Sequence, residues 1–510
     1  MNILYVFLIQ LFSLSISDED DRLVFLYTHF RHGARAPMNI NENFTDLLKE
    51  KWTNPGELIG IGQRMHYLLG LRNRIRYIKN ETFLSEKFDP HEILIFSSNL
   101  NRTMLSAASQ LQGFYPQSSN LGEVLSEEEE KVAIPQVDVN CEEINNEIKS
   151  LNKSALPYYM TLAPVRMVND NDRKMNVYDI TECTEERDQV KKKNRETIPY
   201  LTNFTDDFNK QYGETLNNFM GNPNKTYNLL EIDEICDAFL SGYTAQRELT
   251  EFKKTGLNFS ELNDYCWEYL RINYLYHFHG DKEKILAHVD SSKLMSELTY
   301  YMKRRLDADM TEEDEDKNYK DYSIPKMLMI SGHDSTTSAD EIFMLNALDL
   351  NISENYIFPK YAAQLALEVR TKKEPSQKTS YADYYVVGYF NDKQIFNVTA
   401  DKFITKVEKE IWSQEKINEF CGFDETNSDG KNSSDSSNSN GGASSDDVSS
   451  KKKDKAKTAY KALMIVFICL TALLLASTIY LAYKLSKRSP PPLDPNFSVN
   501  KTNITMNDIK

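Results

Sequence analysis

Three short apolar runs constrain this chain most: LVFLYT at 23–28, ILIF at 93–96 and KMLMI at 326–330, each halted by small or charged residues. Runs this short and apolar at successive positions are strands covered on both faces. Helical spacing follows two of them, in MLSAASQLQGF after Arg102 and in the stretch leading to DEIFMLNAL after Asp334, and it precedes the second run over 58–78. Strands alternating with helices give an α/β class, a mainly parallel sheet covered by helices on both faces. Residues 362–369 and 381–390 read as strands returning to that sheet. Between about 115 and 321 the chain is rich in Glu, Lys, Asn and Tyr, with helical patterns at 264–278 and 292–306. That stretch reads as an inserted, mainly helical lobe.

The two ends predict the compartment. Residues 1–17 (MNILYVFLIQLFSLSIS) are apolar on every face and close on small residues before an acidic run, the pattern of a cleaved signal peptide. Residues 462–483 carry no charge and have the length of a single C-terminal transmembrane helix. Residues 424–461 begin as Ser, Asn, Asp and Gly with almost nothing apolar, a flexible stalk, and 484–510 form a cytosolic tail. The layout is a single-pass type I membrane protein with its body, 18–423, lumenal or extracellular. The lysines from Lys451 to Lys461 on the outer flank oppose that orientation, but a signal peptide and a large translocated domain override flanking charge. Ten Asn-x-Ser/Thr acceptors between Asn43 and Asn432 fit a glycoprotein, although more at Asn496, Asn500 and Asn503 in the tail reflect an Asn-rich chain. With 76 acidic against 60 basic residues and net charge −16, a protein that coats nucleic acid is excluded. Six cysteines include Cys469 inside the span, leaving an odd five outside, and none stands at Cys-x-x-Cys spacing, so a zinc ribbon is not expected.

Chemistry concentrates at the ends of the three runs. After the first stands Arg31-His32-Gly33-Ala34-Arg35-Ala36-Pro37, after the second Ser97-Ser98-Asn99-Leu100-Asn101-Arg102-Thr103, and after the third Ser331-Gly332-His333-Asp334. Alone, these read as a solvated basic turn, a surface arginine and a helix cap. Ligands of open α/β sheets bind at strand carboxyl ends, where the three segments converge. Two histidines, three arginines and a carboxylate in one pocket suit phosphoryl transfer: guanidinium forks clamp the phosphate oxygens, an imidazole attacks phosphorus, and a carboxylic acid protonates the departing alcohol.

RHGARAP, the SSNLNRT segment and SGHD, together with PGELIGIGQ at 55–63 and PKYAA at 359–363, resemble the histidine acid phosphatase family, in its membrane-anchored lysosomal and prostatic branch. The resemblance runs from about residue 22 to 421 and is weakest in the middle. It implies that His32 is the nucleophile, that Asp334 is the proton donor, and that Arg31, Arg35, Arg102 and His333 bind phosphate, with no metal and no cofactor. It implies hydrolysis of phosphate monoesters in a lysosome or food vacuole or at the cell surface, and a possible homodimer. The alternatives are a phytase or inositol phosphate phosphatase, which needs a wide basic pocket that Lys191, Lys192 and Lys193 could supply, and a catalytically inactive surface receptor. The family's disulfides imply Cys183 with Cys421 and, more weakly, Cys236 with Cys266, leaving Cys141 free or intermolecular. Asn101, where the family often has an acidic residue, is expected to be unglycosylated. His29 is assigned to the opposite face of the strand end from Arg31, His66 to the core, and the Tyr-rich stretch 274–278 to packing.

Overall fold

The computed structural model describes residues 21–422, except 39–51, 53, 120–121, 136–140, 169–182, 197–198, 247–255, 281–282, 312–323 and 375–376. The expected signal peptide, stalk, transmembrane helix and tail lie outside the described residues. Among the described residues no helix is long and apolar enough to cross a membrane.

The strands are β1 (Arg22–Arg31), β2 (Ile93–Ser98), β3 (Arg166–Val168), β4 (Met327–Gly332), β5 (Gln364–Thr371), β6 (Tyr385–Phe390) and β7 (Lys393–Thr399). They form one sheet in the order β3-β2-β4-β1-β5-β6-β7. The principal helices are α1 (Gly60–Arg74), α2 (Asn101–Phe114), α3 (Thr184–Glu196), α4 (Leu229–Thr244), α5 (Phe259–His279), α6 (Ile285–Thr311), α7 (Asp334–Ala347), α8 (Ala400–Glu410) and α9 (Gln414–Phe420). The expected strands and the helices after Arg102 and Asp334 all form.

The sheet is mixed rather than mainly parallel. β1–β4, β2–β4 and β2–β3 pair in parallel, whereas β1–β5, β5–β6 and β6–β7 pair antiparallel. A short connection explains β6–β7, because a parallel crossover needs about a dozen residues and a hairpin needs two. Asn391 and Asp392, at φ 45° and 70°, make the β6–β7 turn. Both residue types tolerate that left-handed backbone, the signal by which β7 was detectable.

The insertion is also smaller than its composition suggests. Within it, β3 joins the sheet edge beside β2. Leu294, Met295, Leu298, Met302 and Leu306 of α6 share one core cluster with Phe25, Tyr27, Leu328 and Ile330, so this helix covers the sheet. The lobe proper has its own core around Phe208, Tyr212, Tyr227, Ile232, Phe239, Leu262 and Tyr269. Cys236–Cys266 ties α4 to α5 there, and Cys183–Cys421 ties the residue before α3 to the end of α9. Cys141 is an exposed free thiol.

Candidate active site

Register delivers the three motifs to one place. β4 lies between β2 and β1, with Ser97 opposite Ser331 and Arg31 opposite Gly332, so the three strands end level with one another. Because neighbouring strands lie about 4.8 Å apart, the motifs that follow fall within a span of about 10 Å. Arg31, His32, Arg35, Arg102, His333 and Asp334 all line one cavity of about 250 Å³. Every site residue expected from the sequence is therefore brought together.

The turn after β1 is held by a glycine contact. A Cβ on Gly62 would stand 2.2 Å from the Ala34 carbonyl oxygen, and one on Gly33 would stand 2.4 Å from the Gly62 oxygen. Ile59 N–H donates to Ala34 O and Ala36 N–H to Glu57 O, clamping the turn against the PGELIGIG segment that leads into α1. That is the physical role of the segment at 55–63.

His32 is 2% exposed, and its Nδ1 lies 2.9 Å from the Gly33 carbonyl oxygen. A carbonyl only accepts, so Nδ1 carries the proton and Nε2 carries the lone pair. Burial, followed by the charges of Arg31, Arg35, His333 and Arg102, holds the imidazole pKa well below its usual value. The neutral form of the ring is therefore favoured more than that of an ordinary histidine.

Arg31 donates to Pro359 O at 2.8 Å, pairs with Asp334 Oδ2 at 2.8 Å, and lies with its Cζ 4.5 Å from the Tyr361 ring centroid. Arg35 donates to Asp237 Oδ1 at 2.8 Å and to Ala36 O at 2.9 Å. Arg102 stands in the first turn of α2, where free backbone amides also favour anions. His333 Nε2 is 2.9 Å from Ser98 Oγ, which in turn is 2.8 Å from Thr103 Oγ1. His333, not Asp334, is the N-cap residue of α7, and Asp334 opens the helix. Asp334 Oδ1 accepts from Ser335 N–H at 2.9 Å and from the Tyr274 hydroxyl at 3.2 Å. Burial raises its pKa, but Arg31, Arg35 and His333 outweigh burial and leave it lower than normal.

Several partners escaped the sequence reading. Tyr274, read as packing, lines the cavity and reaches Asp334. Asp237, Trp267 and Tyr361 also line it. Of these, Tyr361 carried a signal, as part of PKYAA; the lobe residues have no motif to mark them. His29 lies on the same side of β1 as Arg31, because strand positions i and i+2 share a face. Fully buried, it sets Nδ1 2.7 Å from Asp340 Oδ2 and Nε2 3.2 Å from Thr336 Oγ1, which accepts from His333 N–H at 3.0 Å. His66 is buried as expected, facing Gln110 Oε1 at 3.0 Å, and burial lowers its pKa to about 4. Asn101 Nδ2 donates to Glu57 Oε1 at 3.2 Å. Lys191, Lys192 and Lys193 do not line the cavity.

Residues 22–391 match the family described as the histidine phosphatase superfamily, branch 2. The chain belongs to that superfamily. Among its relatives, a lysosomal acid phosphatase of Xenopus laevis is 33% identical over 118 residues, which are 23% of this chain and only 26% of that protein. A prostatic acid phosphatase of Homo sapiens is 25% identical over 373 residues, 73% of this chain and 78% of that one. The solved phytase of Klebsiella sp ASR1 superposes at a TM-score of 0.49 and 12% identity, covering 77% of this chain and 96% of that chain. The superfamily match thus runs across the whole sheet except β7, and across the lobe between its strands.

Proposed function

We propose that the protein is a membrane-anchored acid phosphatase that hydrolyses phosphate monoesters through a phosphohistidine, without a metal or cofactor. The observation that carries this reading is the Nδ1 of His32 set against the Gly33 carbonyl, which leaves Nε2 to face the cavity's Arg31, Arg35, Arg102 and Asp334 as the proposed nucleophile. Nε2 attacks phosphorus in line, the bond from phosphorus to the ester oxygen breaks, and the Asp334 carboxylic acid supplies the proton that the alkoxide takes away. Water then attacks the phosphohistidine with Asp334 accepting its proton, and inorganic phosphate leaves. The arginines and His333 neutralise the phosphoryl oxygens throughout. The depressed pKa of His32 explains how an imidazole nucleophile works in acid. The lysosomal relative and the N-terminal and C-terminal apolar segments support a lumenal body anchored by the C-terminal helix. The phytase alternative lacks its expected support, since Asp233, Glu234 and Asp237 form part of the cavity wall.

The test is hydrolysis of a chromogenic aryl phosphate by the full-length protein at about pH 5 and about pH 7.5 with a metal chelator present, beside His32→Ala. Turnover in acid that resists chelation and vanishes in His32→Ala is the expected result. A folded wild-type protein that turns nothing over would favour the inactive receptor.

A further inference from the structure

His29 does not line the cavity, yet it is joined to a residue that does. Fully buried near the end of β1, it sets Nδ1 2.7 Å from Asp340 Oδ2, which also accepts from the Tyr27 hydroxyl at 3.1 Å. A carboxylate on one ring nitrogen fixes the rotation of an imidazole and so the direction of the other nitrogen. That other nitrogen, Nε2, is 3.2 Å from Oγ1 of the buried Thr336, in the first turn of α7. Thr336 Oγ1 accepts from His333 N–H at 3.0 Å and lies 3.2 Å from the His333 carbonyl oxygen, so one hydroxyl meets both backbone groups of His333. The side chain of His333 is held separately, with Nε2 2.9 Å from Ser98 Oγ. Gly332 closes the arrangement: a Cβ there would stand 2.4 Å from His29 Nε2 and 2.6 Å from Thr336 Oγ1. The glycine before His333 thus leaves room for the histidine at position 29.

Resting on the phosphatase reading, we infer that His29 is a positioning residue for phosphate binding: anchored by Asp340, it holds Thr336, and through Thr336 the backbone of His333. The His333 ring is then fixed from both ends, by Ser98 at its tip and by Thr336 at its base. A group that binds phosphate works only as well as the residues behind it hold it in place. His29 makes no contact with the phosphoryl group and takes no part in the transfer.

The experiment uses inorganic phosphate as the probe, through its inhibition constant against an aryl phosphate in the full-length protein, with thermal melting alongside. In place of histidine, Asn puts its amide where Nδ1 stands and Gln puts its amide where Nε2 stands. His29→Asn therefore keeps the Asp340 contact and gives up Thr336, and His29→Gln does the reverse. His29→Asn should raise KM and the inhibition constant about tenfold or more. His29→Gln should stay within about threefold of wild type yet melt lower than His29→Asn, because it leaves Asp340 buried without its imidazole. Thr336→Val should repeat the loss and Thr336→Ser should match wild type; this pair decides alone where a His29 variant does not fold. His29→Asn/Thr336→Val should be no worse than either single variant, since both break one connection. A role in stability alone lowers the active fraction and leaves both constants unmoved. Equal constants for His29→Asn and His29→Gln, a wild-type constant in Thr336→Val, or additive losses in the double variant would overturn the inference. A folded wild-type protein that turns over no aryl phosphate would instead overturn the phosphatase reading beneath it.

Discussion

A general acid that is deprotonated before substrate arrives needs a source for its proton. Asp334 sits under the charges of Arg31 and Arg35 and accepts two hydrogen bonds, all of which favour the carboxylate against the effect of burial. A bound phosphate dianion brings two negative charges against those two guanidinium charges. At about 4 Å and an effective dielectric constant near 20, each unit of charge contributes about 4 kcal/mol before screening, so the dianion offsets the pair and leaves burial to favour the neutral acid. Binding should therefore draw a proton onto Asp334 from solvent. Sulfate is the clean probe, because it is a tetrahedral dianion that does not titrate near neutrality. Calorimetry of sulfate binding at about pH 5 in buffers of different ionisation enthalpy should show about half to one proton more taken up by wild type than by Asp334→Asn. Uptake remaining in the variant belongs to the other groups that face the anion, His32 and His333 among them. Identical proton counts for the two proteins would refute the argument and move the acid function to another group.

Gly62→Ala puts a methyl group onto the Ala34 carbonyl and should cut kcat/KM about 100-fold or more while the fold survives, because displacement of His32 by about 1 Å is enough. Gly60→Ala meets nothing within 4 Å and should be silent; equal effects of the two would sink the clamp argument. Glu341 is fully buried, with Oε1 accepting from Ile357 N–H and Oε2 unmatched, and burial raises its pKa well above normal. A raised folded-state pKa means stability that is complete below the unfolded-state value and lost as pH rises, so Glu341→Gln should match wild type in acid and melt higher than wild type near neutrality. Parallel pH profiles of Tm would contradict this. Removing Cys183–Cys421, 238 residues apart, should cost up to about 5.5 kcal/mol, against about 3.6 for Cys236–Cys266, 30 apart, by loop entropy. Denaturant midpoints of Cys183→Ser and Cys236→Ser in the reverse order would reject that ranking.

The sheet-borne half of the site was legible because strand ends carry short, dense motifs: a buried apolar run fixes where His32, Arg102 and Asp334 stand, and parallel register aligns them. Tyr274 and Asp237 were not legible, since each lies on a long helix whose other positions pack the lobe, and a helix face declares no target. His29 was misassigned although its spacing of two from Arg31 puts both on one face of the strand; what spacing does not carry is its partner, Asp340 across the core. The extent of the insertion failed for a related reason. The polar, tyrosine-rich composition around α6 hides the Leu and Met stripe that lies against the sheet.

The place of β1 in the sheet also governs when the fold can come together. This strand is made first, yet its neighbours start at Met327 and Gln364, so Leu26 finds its partner only about 300 residues later. Until then a strand with a mostly apolar centre must travel through synthesis without its edges satisfied, a hazard for association with other chains. The disulfide between Cys236 and Cys266 closes a far shorter loop and needs only the lobe. The lobe can thus consolidate before the sheet, and β1 gains its two neighbours only once β4 and β5 have been made, so a chain that stops short of them does not bring the three motifs together.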